Sequence, residues 1–228
     1  MNEPVRPSSR FSDGVRRLLE KVEYRRAVDD VELEKHQRLR YDANLREGVI
    51  EPNDTGRLTD QFENVANGFN VGVYIDGQLS SALRLHVLSP AHPRSVLRQN
   101  YPDEVTPLVE AGNQIIDVTR LAANYDVARR YPHLLYVTVR LSMVAASHFD
   151  ADLILAGVRT EHIPFYKREF LATQLTEPRP YPTVTKPQCL FKIDYRRDRE
   201  AIIQKHPFHA STPAEGWAVF GDPSGLLP

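Results

Sequence analysis

The sequence predicts an α/β protein built on a mixed sheet, and three stretches carry that prediction. Residues 71–88 hold two β-rich runs, VGVYID and QLSSALRLHVL, meeting at Asp76-Gly77, a two-residue hairpin signal. Residues 112–124, GNQIIDVTRLAAN, read as a buried strand rich in β-formers: Ile115, Ile116, Val118 and Leu121. Residues 133–149, HLLYVTVRLSMVAASHF, read as a largely apolar helix that leads into a short apolar strand, DLILAGV. An order of helix, hairpin, strand, long helix, strand, short helix and two strands makes a layered α/β arrangement.

Composition narrows the class. The 228 residues suit one large domain, with 41% hydrophobic and 26% charged residues, a globular balance. A net charge of −1 argues against a general nucleic-acid binder. No apolar run approaches the roughly 18 residues of a membrane span. The opening MNEPVRPSSRFSDG is polar, so no secretory signal is expected. The single cysteine, Cys189, leaves no internal disulfide and fits a reducing, cytoplasmic setting; in the apolar run CLFKID it reads as a buried structural thiol.

Along the chain, residues 1–11 read as a flexible arm, 12–205 as the domain and 206–228 as an extended Pro/Gly-rich tail. A short helix over residues 13–21 leads into the strand VEYRRAV. Asp29 and Glu32 have capping-box spacing and start a helix that Gly48 ends. Val31, Leu39, Ala43 and Leu45 are its expected core stripe. Residues 50–70 form a long polar loop, of the kind that is often functional. A loop and short helix fill residues 90–110. Residues 125–131 read as a charged connection, and Pro132 fits the first position of the long helix. EHIPFYKREF reads as a short helix or turn. LATQLTE and QCLFKIDY are the last strands, joined by a loop holding Pro178, Pro180, Pro182 and Pro187, and residues 196–205 form a terminal helix.

The strand at residues 112–124 carries charge where a buried strand should not. Asp117 and Arg120 stand among its apolar residues, and buried charge is costly unless paired. Residues three apart on a regular strand point to opposite faces. Asp117 and Arg120 share a face only if the strand is bulged, and bulges are over-represented beside active sites. Other charges stand on separate segments: Arg40 late in its helix, Asp60 and Glu63 in the polar loop, Arg84 on the second hairpin strand. Taken singly, each reads equally as a solvated or structural charge. His86 reads as a hydrogen-bonded strand residue, since no second histidine lies at metal spacing. No Gly-x-Ser-x-Gly motif, Walker loop or zinc spacing occurs.

Together these residues resemble the acyl-homoserine lactone synthases and the related N-acyl amino acid synthases, both of the GNAT acyltransferase superfamily. The likeness covers roughly residues 22–195. Leu39-Arg40 matches an arginine late in the family's first main helix. Asp60-Gln61-Phe62-Glu63 matches an acidic pair in the following loop. Ala82-Leu83-Arg84-Leu85 matches an arginine on the second hairpin strand. Asp117-Val118-Thr119-Arg120 matches an acid-x-x-Arg strand. The long apolar helix, strand and aromatic-rich helix then follow in family order. Four departures stand out. Asn44 replaces an aromatic of the lactone synthases, the loop after Gly48 lacks their tryptophan, Glu63 replaces Asp, and Asp117 replaces Glu. These lean toward the N-acyl amino acid synthase branch and away from an S-adenosylmethionine site.

The resemblance implies a GNAT-like, largely antiparallel sheet flanked by helices, with a splayed pair of central strands. It implies transfer of a long acyl group to the amine of an amino acid. Asp60, Glu63, Arg84, Asp117 and Arg120 become the candidate catalytic set. Arg40, Thr119, Leu121, Leu141 and Val144 become candidate substrate-binding residues, with the apolar faces of residues 134–149 and 153–158 along an acyl tunnel. No metal and no permanently bound cofactor is expected. One observation needs no family: no glycine lies between Gly112 and Gly157, so the segment after the charged strand lacks the glycine-bearing turn that holds a coenzyme A pyrophosphate at a helix start. That favours acyl carrier protein, which brings its own phosphopantetheine, as donor. Acyl carrier proteins are acidic, so Arg129, Arg130, Lys167 and Arg168 are the expected docking residues. The competing readings are a lactone synthase using S-adenosylmethionine, a non-catalytic module binding an acyl chain or carrier, and an ornithine-type lipid acyltransferase.

Overall fold

The computed structural model describes residues 10–181 and 184–226. Its spine is an open sheet of eight strands. In chain order the elements are α1 (Arg10–Leu19), β1 (Val22–Arg26), α2 (Asp30–Arg46), β2 (Gly68–Ile75) and β3 (Gln78–Leu88). Next come α3 (Val96–Asn100), α4 (Pro102–Glu110), β4 (Ile115–Ala123), α5 (Tyr125–Arg130) and α6 (Leu134–His148). Then follow β5 (Leu153–Arg159), α7 (Ile163–Phe170), β6 (Thr173–Gln174), β7 (Arg179–Tyr181), β8 (Val184–Asp194), α8 (Tyr195–Lys205) and α9 (Pro213–Phe220).

Local chemistry explains the element ends. Asp29 caps α2, accepting the Glu32 amide at 2.8 Å, and Gly48 follows the helix at φ 63°. Asp76 and Gly77, at φ 51° and 77°, turn β2 into β3 with Ile75 opposite Gln78. Left-handed conformation at both turn residues is what the twist of a two-residue hairpin demands. Asn124 caps α5 by accepting the amides of Asp126 and Val127.

The strand order is β1-β2-β3-β4-β5-β8-β6, with β7 also on β8. Every pairing is antiparallel except β4 with β5. That parallel pair holds register only from Ile115↔Leu153 to Val118↔Ala156, so the two strands splay beyond it. One sheet face packs Val71, Val73, Leu83, Leu85 and Val87 against α6. The other packs Leu88, Ile115, Leu155 and Leu190 against α3 and α4, and α2 lies on this side, with its His36 against Gly72 of β2.

Several expectations change. The buried stripe of α2 is Leu33, His36, Gln37 and Arg40, while Val31 is 68% exposed. The physical reason is that the facing strands present Asn70 and Arg84, which call for polar partners. Residues 90–110 form two helices rather than one, and the connection over residues 125–131 contains α5. The long helix begins at Leu134, two residues after Pro132. The segment from 206 is not extended: it makes a 3-10 turn at Pro207–His209 and then α9. Of the expected N-terminal arm, residues 1–9 lie outside the described residues, and Arg10 and Phe11 open α1. Pro182 and residues 227–228 also lie outside the described residues. No helix among the described residues is long and apolar enough to cross a membrane.

Arg140 explains why the last segment packs. From the buried face of α6 it donates to the carbonyls of Phe208 and Ala210 and pairs with Glu215 on α9. Gln114 holds the far end, donating to the Leu226 carbonyl at 2.7 Å. Removing one partner of a largely buried pair leaves polar groups uncompensated. Arg140→Met is therefore expected to lower stability by about 3 kcal/mol, read as a shifted denaturant midpoint. A loss below about 1 kcal/mol would show that α9 is held by its apolar contacts instead.

Candidate active site

Four separate elements and the polar loop meet in one lattice of charge. Arg40 of α2 is fully buried and donates to both Glu63 oxygens at 3.0 and 3.2 Å, with its other arm on the Asn70 side-chain oxygen of β2. Arg84 of β3, also fully buried, grips Asp60 with two parallel bonds of 2.8 and 2.7 Å and reaches Glu63 at 3.2 Å. Arg120 of β4 donates to the same Asp60 Oδ2 from Nε, at 3.1 Å, and from Nη2. Burial pulls the Arg40 guanidinium down to about 10, opposed by Glu63. Burial also raises the Asp60 carboxyl, but Arg84 and Arg120 outweigh it and hold the group well below the usual carboxylate range. Asp60 is therefore a strong anchor and a poor proton acceptor.

The bulge anticipated in the charged strand is present. Register jumps from Arg84↔Thr119 to Ala82↔Ala122, so Arg120 and Leu121 together face Leu83. Arg120 takes φ 57°, the left-handed region that costs a non-glycine residue roughly 1–2 kcal/mol. That twist lets its guanidinium join Asp60 beside Arg84.

Asp117 does something other than join this group. It is fully buried, and its Oδ2 accepts the Leu97 amide at 3.1 Å, at the start of α3. Burial pushes its carboxyl up to about 6, against the Ser95 side chain, the Leu97 amide and nearby Arg84, which lower it. His86 lies opposite it in the β3–β4 register; burial, with Arg84, pushes its imidazole down to about 3.

Beyond Val118 and Ala156 the parted strands open into a cavity of about 560 Å³. Thr119, Arg120 and Leu121 contribute to it from the bulge, and Gly157 and Gln188 from the β5 side. A Cβ at Gly157 would come within 2.9 Å of Gln188 Oε1 and 3.1 Å of Leu97 Cδ2, so the ends of these two side chains would have to shift. The cavity lining combines polar groups, Asn44, Arg46 and Glu47 from the end of α2 with Arg159 and His162, and apolar ones, among them Ala122, Ala128, Leu135, Val158, Phe165 and Tyr166.

The lattice gathers Arg40, Asp60, Glu63, Arg84 and Arg120. Among the three arginines, Arg120 alone lines the cavity; Arg40 and Arg84 are sealed behind it. Thr119 and Leu121 line it as well. Leu141 and Val144 do not: both are buried in the α6 core, so the expected tunnel wall there is solid packing, and Leu135, nearer the start of α6, lines the cavity instead. Asp117 is likewise absent from the wall. Arg129 and Arg130 are exposed on α5, and Lys167 and Arg168 on α7. Both helices line the same cavity, through Tyr125 and Ala128 and through Phe165 and Tyr166. Sequence reading missed Asn70, whose position across from Arg84 in the hairpin register offered a signal. It also missed Arg46, Glu47, Arg159 and His162, for which no local signal exists.

Residues 35–194 match the protein family described as N-acyl amino acid synthase FeeM. The solved structure of FeeM, an N-acyl amino acid synthase from uncultured soil microbes, superposes with a TM-score of 0.64 at 14% identity, over 78% of this chain and 93% of that one. BjaI, a CoA-dependent acyl-homoserine lactone synthase solved with SAM and isopentyl-CoA, gives 0.56 at 19% identity, over 90% and 95%. An acyl-CoA N-acyltransferase from Pseudomonas aeruginosa gives 0.52 at 15% identity, over 75% and 99%. At these identities the likeness is one of fold: an open, mostly antiparallel GNAT-like sheet flanked by helices. No curated protein matches the chain.

Asp117 makes the site's electrostatics testable. Its folded pKa, about 6, lies above the ordinary 3.8. A raised carboxyl leaves stability intact below the unfolded value and erodes it as pH rises toward the folded one. Asp117→Asn removes that erosion while still accepting the Leu97 amide. The variant is expected to match the parent near pH 3.5 and to exceed it by up to about 3 kcal/mol above pH 6.5, by denaturant unfolding at both values. A variant less stable at neutral pH would mean that the ionised carboxylate is needed where it stands.

Proposed function

The chain belongs to the N-acyl amino acid synthase (FeeM) family, and from that premise we propose that it moves an acyl group from the thioester of an acyl carrier protein to the amine of an amino acid. The observation that carries this reading is the cavity at the strand splay, lined by Arg120 and by both apolar and polar groups. Its apolar lining suits an acyl chain, its polar lining suits an amino acid, and the two substrates meet where the strands part. Proximity and orientation of this kind account for much of the acceleration of acyl transfer.

In this reading each group has a distinct task. The acceptor's carboxylate docks on Arg120, whose Nη1 is left over after Nε and Nη2 engage Asp60. The acceptor's amine is thereby presented to the thioester carbonyl. The backbone of β4 past Val118, parted from β5 and bulged against β3, supplies hydrogen bonds to the pantetheine amides and to the oxyanion. Asp60, Glu63, Arg84 and Arg40 position Arg120 and the bulge rather than touch substrate.

The start of α5 supports a carrier-borne donor. Asn124 already occupies the Asp126 and Val127 amides at 3.1 Å each, and Asp126 adds negative charge there. A coenzyme A pyrophosphate finds no free backbone amides at that helix start. A carrier-borne arm brings a single phosphodiester in place of that pyrophosphate.

Purified protein given long-chain acyl carrier protein and a mixture of amino acids is expected to form an N-acyl amino acid, detected by mass spectrometry. Acyl-coenzyme A at matched concentration should serve several-fold less well. An equal or better rate with acyl-coenzyme A overturns the donor assignment, and a lactone formed from S-adenosylmethionine overturns the acceptor.

Within the lattice, Asp60→Asn and Arg84→Ala should each lower turnover on the order of a hundredfold, as loss of positioned groups does, with a melting transition retained. Near-full activity in either variant makes that residue mere scaffold.

For the carrier surface, Arg129→Glu with Arg130→Glu should raise the KM for acyl carrier protein several-fold and change a minimal acyl-pantetheine substrate far less. The gap should shrink in salt as the Debye length falls from about 10 Å at 0.1 M to about 3 Å at 1 M. Equal loss on both donors would move the docking surface elsewhere.

A further inference from the structure

Tyr125, the first residue of α5, stands at the cavity rim, 45% exposed, with two guanidiniums on its ring. Arg46 Cζ, from the last turn of α2, lies 4.0 Å from the ring centroid, and Arg129 Cζ lies 5.6 Å from it. The rim's ion pairs belong to Arg159, with Glu47 and Glu161; no described carboxylate pairs with Arg46 or Arg129. An exposed cation–π contact contributes about 0.5–1 kcal/mol, so the ring orients these cations without neutralising them. Two oriented arginines with their charge unspent, at the mouth of a cleft, form a receptor for a phosphate.

We infer that Arg46 and Arg129, held on the Tyr125 ring, bind the phosphodiester at the head of the donor's phosphopantetheine arm. The inference rests on the carrier-donor reading above and adds a ligand group that the reading left unassigned. Geometry supports it. At about 3.3 Å per strand residue, Tyr125 lies no more than roughly 13 Å from Leu121, since β4 ends at Ala123. Phosphate and sulfur are separated in the arm by about a dozen bonds, roughly 15 Å when extended. A phosphate held at Tyr125 therefore leaves the thioester in reach of the bulge. The two arginines also come from different elements, α2 and α5, so the phosphate would bridge those two elements.

Calorimetric titration of the full chain with 4′-phosphopantetheine and with pantetheine isolates the phosphate. The phosphorylated arm is expected to bind about tenfold more tightly at low salt. Arg46→Gln and Arg129→Gln should each remove most of that ratio. Arg199→Gln, which deletes an exposed charge on α8, should keep it, and melting curves check that every variant is folded. Equal binding of the two ligands by the parent protein, no detectable binding of either at millimolar concentration, or a ratio that survives Arg46→Gln overturns the inference. So does a ratio lost equally in Arg199→Gln, which would mark a general charge effect. Failure of the transfer reading looks different: the phosphate preference persists while no N-acyl product forms from acyl carrier protein.

Discussion

The bidentate grip of Arg84 on Asp60, with Arg120 and Glu63 attached, is the constraint on which the rest of the site depends. Arg84 has no access to water, so its charge must be met inside the fold. Meeting it pulls the polar loop down onto the sheet through Asp60 and Glu63. It gives α2 its polar underside, since Arg40 must in turn satisfy Glu63 and Asn70. It also accounts for the bulge in β4, because a left-handed Arg120 delivers a second guanidinium to Asp60.

The bulge and the strand splay act together. A regular β4 would hand its backbone to β3 on one side and β5 on the other, leaving nothing for a ligand. Register lost on the first side at Arg120 and on the second after Val118 releases that backbone at one place. On the opposite side Gly157, without a Cβ, leaves room for the Gln188 and Leu97 side chains. The cavity is thus a product of interrupted pairing, with the charge lattice fixing where the interruption falls.

Behind the sheet, packing is dense and apolar, and the segment after α8 extends it. Arg140 spends its whole guanidinium on that segment, and Tyr24 gives its hydroxyl to the Val137 carbonyl beside it. α6 is thereby covered on its outer side, and the cavity is lined instead by residues of α2, α5 and α7.

Sequence alone determined what depends on neighbours in the chain. Asp29 with Glu32, Asp76-Gly77 and the period of residues 133–149 act over a few residues, so the helix cap, the hairpin and α6 were legible. The conflict of charge and burial at Asp117 and Arg120 was legible too, and it pointed to a bulge. What sequence could not decide was which charge meets which. Asp117 and Arg120 stand three apart, yet Asp117 joins α3 and Arg120 joins a loop residue sixty positions away. The same holds for α2: its pattern offered Val31 and Leu39, and the sheet opposite selected His36 and Arg40. Leu141 and Val144 were rightly apolar, but only packing decides whether an apolar residue faces a gap or a neighbour. Ion pairing and cavity formation are settled between elements distant in sequence, and tertiary structure is where those distances are first defined.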